Sequence, residues 1–225
     1  MNHLPSLKIL VRGVNWLGDA ILTTPALLRL REAQPGAHIS ILTDAKLADL
    51  WQQHPAVDAV IPFTNGESIR AVAGRLREKQ FQVGLILPNS PRSALELWLA
   101  RIPRRIGYVS PWRRWFLTQA IPRRPGEVRM RKRSTREIQR LIGSSASSSA
   151  PALPSRSHHL HQYLCLASQL GASVEPIAPH VPVAPEEVRT FLCKRQIAAP
   201  TGSSSMSCGG SPAAAGTPAV RRFVS

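Results

Sequence analysis

The sequence predicts an α/β protein built on a Rossmann-like parallel sheet, and three observations predict it. Short apolar runs rich in β-branched residues recur at 9–11, 38–43, 57–62 and 83–87. The stretches between them place their apolar residues at helical spacing. The joints are short and carry Gly, Pro, Asn or Asp. Strands that alternate with helices through short turns give a parallel sheet covered on both faces.

The first strand is Ile9, Leu10 and Val11, bounded by Arg12 and Gly13, an apolar run suited to burial on both faces. From Asp19 to Glu32 the period changes: Ile21, Leu22, Pro25, Leu27, Leu28 and Leu30 sit among Thr23, Thr24, Arg29 and Arg31, the pattern of an amphipathic helix. The turn between them is therefore 13–18. Its glycines, Gly13 and Gly18, permit positive φ and the close approach of a ligand, and a helix start attracts negative charge. Asp19 falls at the carboxyl end of the first strand, where open α/β sheets place their ligands. It is either a working carboxylate or an ordinary N-cap. The turn is no P-loop, because Lys-Ser/Thr does not follow the second glycine, and its glycine spacing is not that of a dinucleotide fold.

Strand two is 38–43, and Asp44 can cap a helix over 45–54. Strand three, 57–62, leads through Thr64, Asn65 and Gly66 to a helix over 68–80. Strand four, 83–87, opens into Pro88-Asn89-Ser90-Pro91-Arg92-Ser93 and a helix over 94–101. That loop faces the same rim as 13–19, so Asn89, Ser90 and Arg92 either share a cleft with Asp19 or are polar residues of a turn. A fifth strand is expected at 105–108.

Charge is uneven. The net +16 is absent from 1–62, where five basic and five acidic residues balance, and concentrated in 101–140, with thirteen basic and two acidic. Such a field attracts phosphorylated lipid, anionic membrane or nucleic acid alike. Within it Trp112, Trp115 and Phe116 alternate with Arg113 and Arg114. This pattern fits a solvated loop, a base-stacking surface, or contact with a phosphorylated glycolipid at a membrane.

Residues 143–157 are a low-complexity Ser/Ala/Pro stretch expected to be flexible. His158, His159 and His161 follow, but only His158 and His161 would share a helical face, and no acidic or Cys partner lies at ligand spacing, so no metal site is expected. Gly171 ends that helix, 174–183 is Pro-rich and extended, and a short helix runs over 185–194. Three scattered cysteines, Cys165, Cys193 and Cys208, suit a reducing cytosol. There is neither a signal-peptide pattern nor an apolar run of about 18 residues.

The opening phrase, from KILVRGVNWLGD through TTPALLRL to HPAVDAVI, resembles the start of the ADP-heptose:lipopolysaccharide heptosyltransferases of glycosyltransferase family 9, most closely their heptosyltransferase II branch. The matching features are a basic-apolar first strand, a G-x-x-x-x-G-D turn, Thr-Thr-Pro-Ala-Leu in the first helix, and His-Pro-x-Val-Asp before the third strand. The likeness runs from residue 7 to about 195. It implies a GT-B glycosyltransferase whose N-terminal half receives the acceptor, the lipid A–core oligosaccharide. Residues 1–142 would be that acceptor-binding domain, 143–157 a loop, and 158–195 a segment leading toward a donor domain. After Arg195 the composition shifts abruptly to Ser, Gly, Ala and Pro. Residues 196–225 are thus expected to be a disordered tail or the product of a shifted reading frame, with the donor domain missing.

The resemblance also implies the chemistry: inverting transfer of heptose from ADP-heptose, without a cofactor, at the cytoplasmic face of an anionic inner membrane. Asp19 matches the acidic residue of the family's turn and is expected to be the base. Gly13 and Gly18 shape the turn, Asn89, Ser90 and Arg92 contact the acceptor, and Arg104, Arg105, Arg113 and Arg114 lie against its phosphates. Lacking the donor half, the chain is expected to have little activity alone. A non-catalytic domain for phosphorylated glycolipid is the alternative; specific nucleic-acid binding is not expected, since the sheet half is balanced in charge.

Overall fold

The structure is a computed structural model that describes residues 6–123, 134–144 and 158–195. The chain divides into two units, Met1–Pro182 and Val183–Ser225. Of the second unit the described part is one helix, α7 (Pro185–Arg195), with Glu186 and Glu187 in its first turn and Lys194 and Arg195 in its last, the charge order a helix dipole favours. Of the stretch expected to be a loop, 143–157, Gly143 and Ser144 are the last residues of a helix, and the rest lies outside the described residues, as does the tail at 196–225.

The first unit is a six-stranded, wholly parallel sheet in the order β3-β2-β1-β4-β5-β6. Its strands are β1 (Lys8–Arg12), β2 (His38–Asp44), β3 (Ala59–Phe63), β4 (Val83–Ile86), β5 (Arg104–Tyr108) and β6 (Gln119–Ile121). The helices are α1 (Leu17–Ala33), α2 (Ala48–Gln52), α3 (Ile69–Glu78), α4 (Pro91–Leu99), α5 (Thr135–Ser144) and α6 (Leu160–Ala167). Period-two alternation sorts the strand residues between the faces. Ile9, Val11, Ile39, Ile41, Val83, Leu85, Ile106 and Tyr108 pack with α1 and α6, whereas Leu10, Leu42, Ile61, Phe63 and Ile86 pack with α3 and α4. Both faces are covered, so the first strand is apolar throughout.

Several elements differ from expectation for local reasons. Asp44 does cap, its Oδ1 accepting from Lys46 N at 3.0 Å, but it opens a 3₁₀ turn before the short α2. Ser90 caps α4, accepting from Ser93 N at 3.2 Å, with Pro91 following it, so that helix begins three residues early. Strand β6 lies in the segment read only as basic and aromatic. It is three residues long and is fixed by pairing Ile106, Gly107 and Tyr108 with Gln119, Ala120 and Ile121. Part of that same segment is α5. Gly171 ends the α6 region at φ 89°, as a left-handed cap should.

Pro25 stands inside α1 and cannot donate to the Ile21 carbonyl four residues back. The Thr24 hydroxyl does so instead, at 2.8 Å, while Thr23 bonds the Ala20 carbonyl at 2.7 Å. The Thr-Thr-Pro run therefore repairs its own helix. Thr24 Oγ1 also accepts from His180 N at 2.9 Å, which ties the extended segment after Gly171 to α1.

Candidate functional site

The strand order reverses between β1 and β4, so their carboxyl ends form the switch-point crevice of a doubly wound sheet. The loop after β1 and the loop after β4 meet there, joined by Leu87 N donating to the Arg12 carbonyl at 3.2 Å. Both loops were singled out from sequence, and they do share this rim.

The glycines of the first loop work differently from expectation. Neither Gly13 nor Gly18 has positive φ. Gly13 donates to the Leu42 carbonyl at 2.9 Å, and a Cβ there would stand 3.2 Å from that oxygen, so the requirement is close passage against β2. Gly18 has open space around it and already belongs to α1. That helix starts at Leu17 behind an extended Trp16 with no side-chain cap, which puts Asp19 in the first turn rather than at the cap. A carboxylate in a helix's first turn is favoured by the dipole. Trp16 is 76% exposed beside it.

Across from Asp19 stands α6. His159 Nδ1 lies 4.0 Å from Asp19 Oδ1, and the His159 ring is 5.7 Å from that of Tyr163. Burial, then the Asp19 charge, pushes the Tyr163 phenol well above its ordinary value, so it stays protonated. Tyr108 holds α6 in place by donating to the Gln162 carbonyl at 3.0 Å. A half-buried carboxylate with an imidazole at this distance can take a proton from an alcohol. Weighing the histidines only as metal ligands, with His158 and His161 on one helical face, missed this, because the helix starts only at Leu160. His159 precedes it, whereas His158 Nδ1 accepts from Leu160 N. The signal available was His159 four residues before Tyr163.

Behind the rim is a charge network no motif announced. Glu96, fully buried, accepts from Arg12 Nε at 2.9 Å and from Arg92 Nε at 3.0 Å. Arg12, also buried, donates to the Gly13 carbonyl at 2.6 Å and Asn15 Oδ1 at 3.2 Å, with its guanidinium 4.4 Å above the Phe63 ring. Burial lowers the Arg12 pKa, and the Glu96 charge opposes that shift. Arg92 further donates to the Glu67 carbonyl at 2.8 Å. Its guanidinium thus braces the frame of the rim.

Of the other expected residues, Asn89 accepts from Arg113 Nη1 at 3.2 Å, and the Ser90 hydroxyl serves the α4 cap. Arg113 has no exposed surface. It also donates to the carbonyls of Tyr108, at 3.1 Å, and Ile86, at 3.4 Å, and burial followed by repulsion from Arg123 pushes it down to about 10. A residue read as surface charge is therefore a buried pillar under the rim. Arg104 and Arg105 open β5 and so stand at the opposite, amino edge of the sheet. Arg104 bonds Gln119 Oε1 and the Gln169 carbonyl, each at 3.0 Å, and Arg105 bonds the carbonyls of Phe116 and Ile102. Arg114 is exposed in a 3₁₀ turn. The structure therefore gathers Gly13, Gly18, Asp19, Asn89, Ser90 and Arg92 at one rim, with Arg113 beneath it, and separates Arg104 and Arg105 from them.

This fold is an α/β Rossmann-like domain, the arrangement that makes up one half of a GT-B fold. No family model matches the sequence. Over 120 residues the chain is 32% identical to lipopolysaccharide heptosyltransferase 2 of Salmonella typhimurium, a match covering 51% of this chain and 34% of that protein. Over 108 residues it is 33% identical to lipopolysaccharide heptosyltransferase 2 of Escherichia coli, covering 45% and 31%. Among solved structures it superposes on the E. coli ADP-heptose lipopolysaccharide heptosyltransferase II with a TM-score of 0.61 at 22% identity, over 86% of this chain and 52% of that one. A glycosyl transferase family 9 structure from Veillonella parvula gives 0.63 at 23% identity, over 85% and 50%. The chain is similar in sequence to heptosyltransferase 2 and in fold to solved heptosyltransferase and family 9 structures. It spans about a third of the curated relatives it matches and about half of each solved chain.

Proposed function

We propose that this chain serves the transfer of heptose from ADP-heptose to the inner-core oligosaccharide of lipopolysaccharide, with inversion, and that its sheet presents the acceptor. The observation that carries this reading is Asp19. In a chain similar to heptosyltransferase 2, it stands in the first turn of α1, at the switch point, with an imidazole 4.0 Å away. An acceptor hydroxyl ionises far above neutral pH, so inversion needs a base that removes its proton as the new bond forms. Asp19 takes that proton. Trp16 lies exposed in the loop before it, Asn89 stands in the loop after β4 on the same rim, and Arg12, Glu96 and Arg92 fix those loops. The reaction needs no cofactor besides the donor.

The leaving ADP needs donors of its own. We assign these to a second Rossmann-like half rather than to this sheet. The lipid acceptor places the protein at the cytoplasmic face of an anionic membrane. Among the described residues no helix is long and apolar enough to cross one. Nucleic acid is not a specific partner in this reading.

The test is a fusion of residues 6–195 to the donor half of E. coli heptosyltransferase II, assayed with ADP-heptose and lipid A–core acceptor. Asp19→Asn should lower turnover by about 10²- to 10⁴-fold. The unfused chain should transfer little. Unchanged turnover in the Asn variant removes Asp19 as the base, and robust transfer by the unfused chain removes the need for a second half.

A further inference from the structure

Among the described residues a group of arginines stands away from the candidate active rim. It lies at the amino edge of the sheet, where the ends of α3 and α4 meet the start of β5. A cleft of about 550 Å³ opens there, lined by Arg77, Trp98, Leu99, Arg101 and Arg105, with no acidic side chain among them. Arg77 is braced by a 2.7 Å bond to the Leu99 carbonyl and Arg105 by one of 2.7 Å to the Phe116 carbonyl. Arg101 has no ion-pair or side-chain hydrogen-bond partner among the described residues. Its backbone sits at φ 59°, the left-handed turn that ends α4, where Ile102 N donates to the Leu97 carbonyl at 3.2 Å.

The cleft continues into an aromatic flank. Trp98 meets Phe116 edge-on at 5.7 Å, and the turn holding Phe116 also carries Arg114 and Trp115. Trp115 is 82% exposed and Trp98 is 45% exposed. Two indoles open to solvent beside four arginines are unusual for a surface that meets only water. Indole rings settle at headgroup depth, and guanidinium groups pair with phosphate in two-pronged geometry.

We propose that this cleft and its tryptophan flank form a membrane-docking face that takes the phosphate of an anionic lipid headgroup between Arg77, Arg101 and Arg105. Trp98 and Trp115 enter the headgroup layer around it. This inference rests on the proposed function in one respect: the acceptor is membrane-borne. It adds which flank meets the bilayer, a flank separate from the rim that holds Asp19.

The test is co-sedimentation of the full chain with vesicles free of any glycolipid, so that it reads docking and not acceptor recognition. Phosphatidylcholine vesicles are compared with vesicles containing phosphatidylglycerol, and Trp emission is followed in both. The expected result is partition into the anionic vesicles with a blue shift. Arg101→Gln should lower the partition about fivefold, whereas Lys46→Gln, which removes the same charge elsewhere, should change it little. Trp115→Ser should reduce both the partition and the blue shift. Equal binding to both vesicle types, an equal loss from Lys46→Gln, or competition by millimolar inorganic phosphate as complete as by anionic lipid would overturn the lipid-headgroup site. So would tight binding of a labelled single-stranded oligonucleotide with no vesicle binding, which would assign the face to nucleic acid. The acceptor reading is checked separately by the heptose-transfer fusion on a soluble, delipidated acceptor, where Arg101→Gln should leave turnover unchanged. A failure of docking and a failure of catalysis are therefore distinguishable.

Discussion

The two edges of the sheet use arginine in opposite ways. At the carboxyl rim Arg12 and Arg113 are withdrawn from solvent and spend their donors on Glu96, Asn89 and loop carbonyls. At the amino edge Arg101 is exposed, with no ion-pair or side-chain hydrogen-bond partner among the described residues, in a cleft shared with the exposed Trp98. The difference teaches that one residue type builds a site at one end and offers a surface at the other, and that burial with hydrogen-bond acceptors, a carboxylate for Arg12 and an amide and carbonyls for Arg113, separates the two uses. A bare count of positive charges cannot make that distinction.

The sharpest way to break the comparison is to remove the counter-charge. Glu96→Ala leaves Arg12 buried without a carboxylate and frees Arg92, so unfolding stability should fall by about 3–5 kcal/mol, the usual cost of breaking a buried pair from one side. Denaturant melts of the chain measure it. Glu96→Gln, which keeps acceptor oxygen for one arginine, should cost less. A loss below about 1 kcal/mol for the alanine variant would mean that water reaches Arg12 and that the rim is no more protected than the amino edge.

How much of this was legible in the sequence follows from the same distinction. The parallel α/β fold was readable because strands buried on both faces leave continuous apolar runs, as at Ile9–Val11 and Val83–Ile86. Asp19 and the PNSPRS loop were readable because strand ends at a switch point are fixed by topology. Burial of Arg113 was not readable, since its run of charged and aromatic neighbours has the pattern of a solvated face. It is held inside by acceptors far away in sequence, the Ile86 carbonyl and Asn89 Oδ1, together with the nearby Tyr108 carbonyl. The separation of Arg104 and Arg105 from the rim was readable in principle. They precede Ile106, so in a parallel strand they must stand at its amino end. Strand β6 was not, because three residues carry too little period to announce a strand without the partner that aligns them. The expectations for 124–133, 145–157 and 196–225 fall outside the described residues.

A second test asks what the fold does with a base it buries without any carboxylate. His54 is 2% exposed at the end of α2, next to Trp51 and 6.2 Å from the His180 ring. Its Nδ1 accepts from Ala56 N at 3.3 Å, which a neutral ring can do. Burial, then the neighbouring His180, lowers its pKa from 6.5 to about 4. The folded state therefore binds fewer protons than the unfolded state between those values. Stability should be flat above about pH 6.5 and fall as the pH drops toward about 4, by at most about 3 kcal/mol. Urea unfolding at several pH values checks this. His54→Gln should flatten the slope across that window, whatever it does to stability at neutral pH. A slope unchanged by the substitution would place the acid sensitivity elsewhere.

The smallest effect is the most discriminating at the amino edge. Arg101 holds φ 59°, a conformation that costs an L-residue roughly 1–2 kcal/mol and glycine almost nothing. Arg101→Gly relieves that cost but gives the unfolded chain back roughly 0.4–1 kcal/mol of freedom. The net should lie between about zero and 1 kcal/mol of added stability, read as a melting temperature equal to or a few degrees above that of the parent. Arg101→Ala keeps the backbone cost and should gain nothing. Removing an arginine here is then neutral or favourable to folding, whereas removing the partner of one at the carboxyl rim is severe. If Arg101→Gly instead loses more than about 1 kcal/mol, its side chain supports the fold as Arg12 does. The left-handed backbone would then be explained by packing, and the case for a surface kept at the expense of stability would lose its best residue.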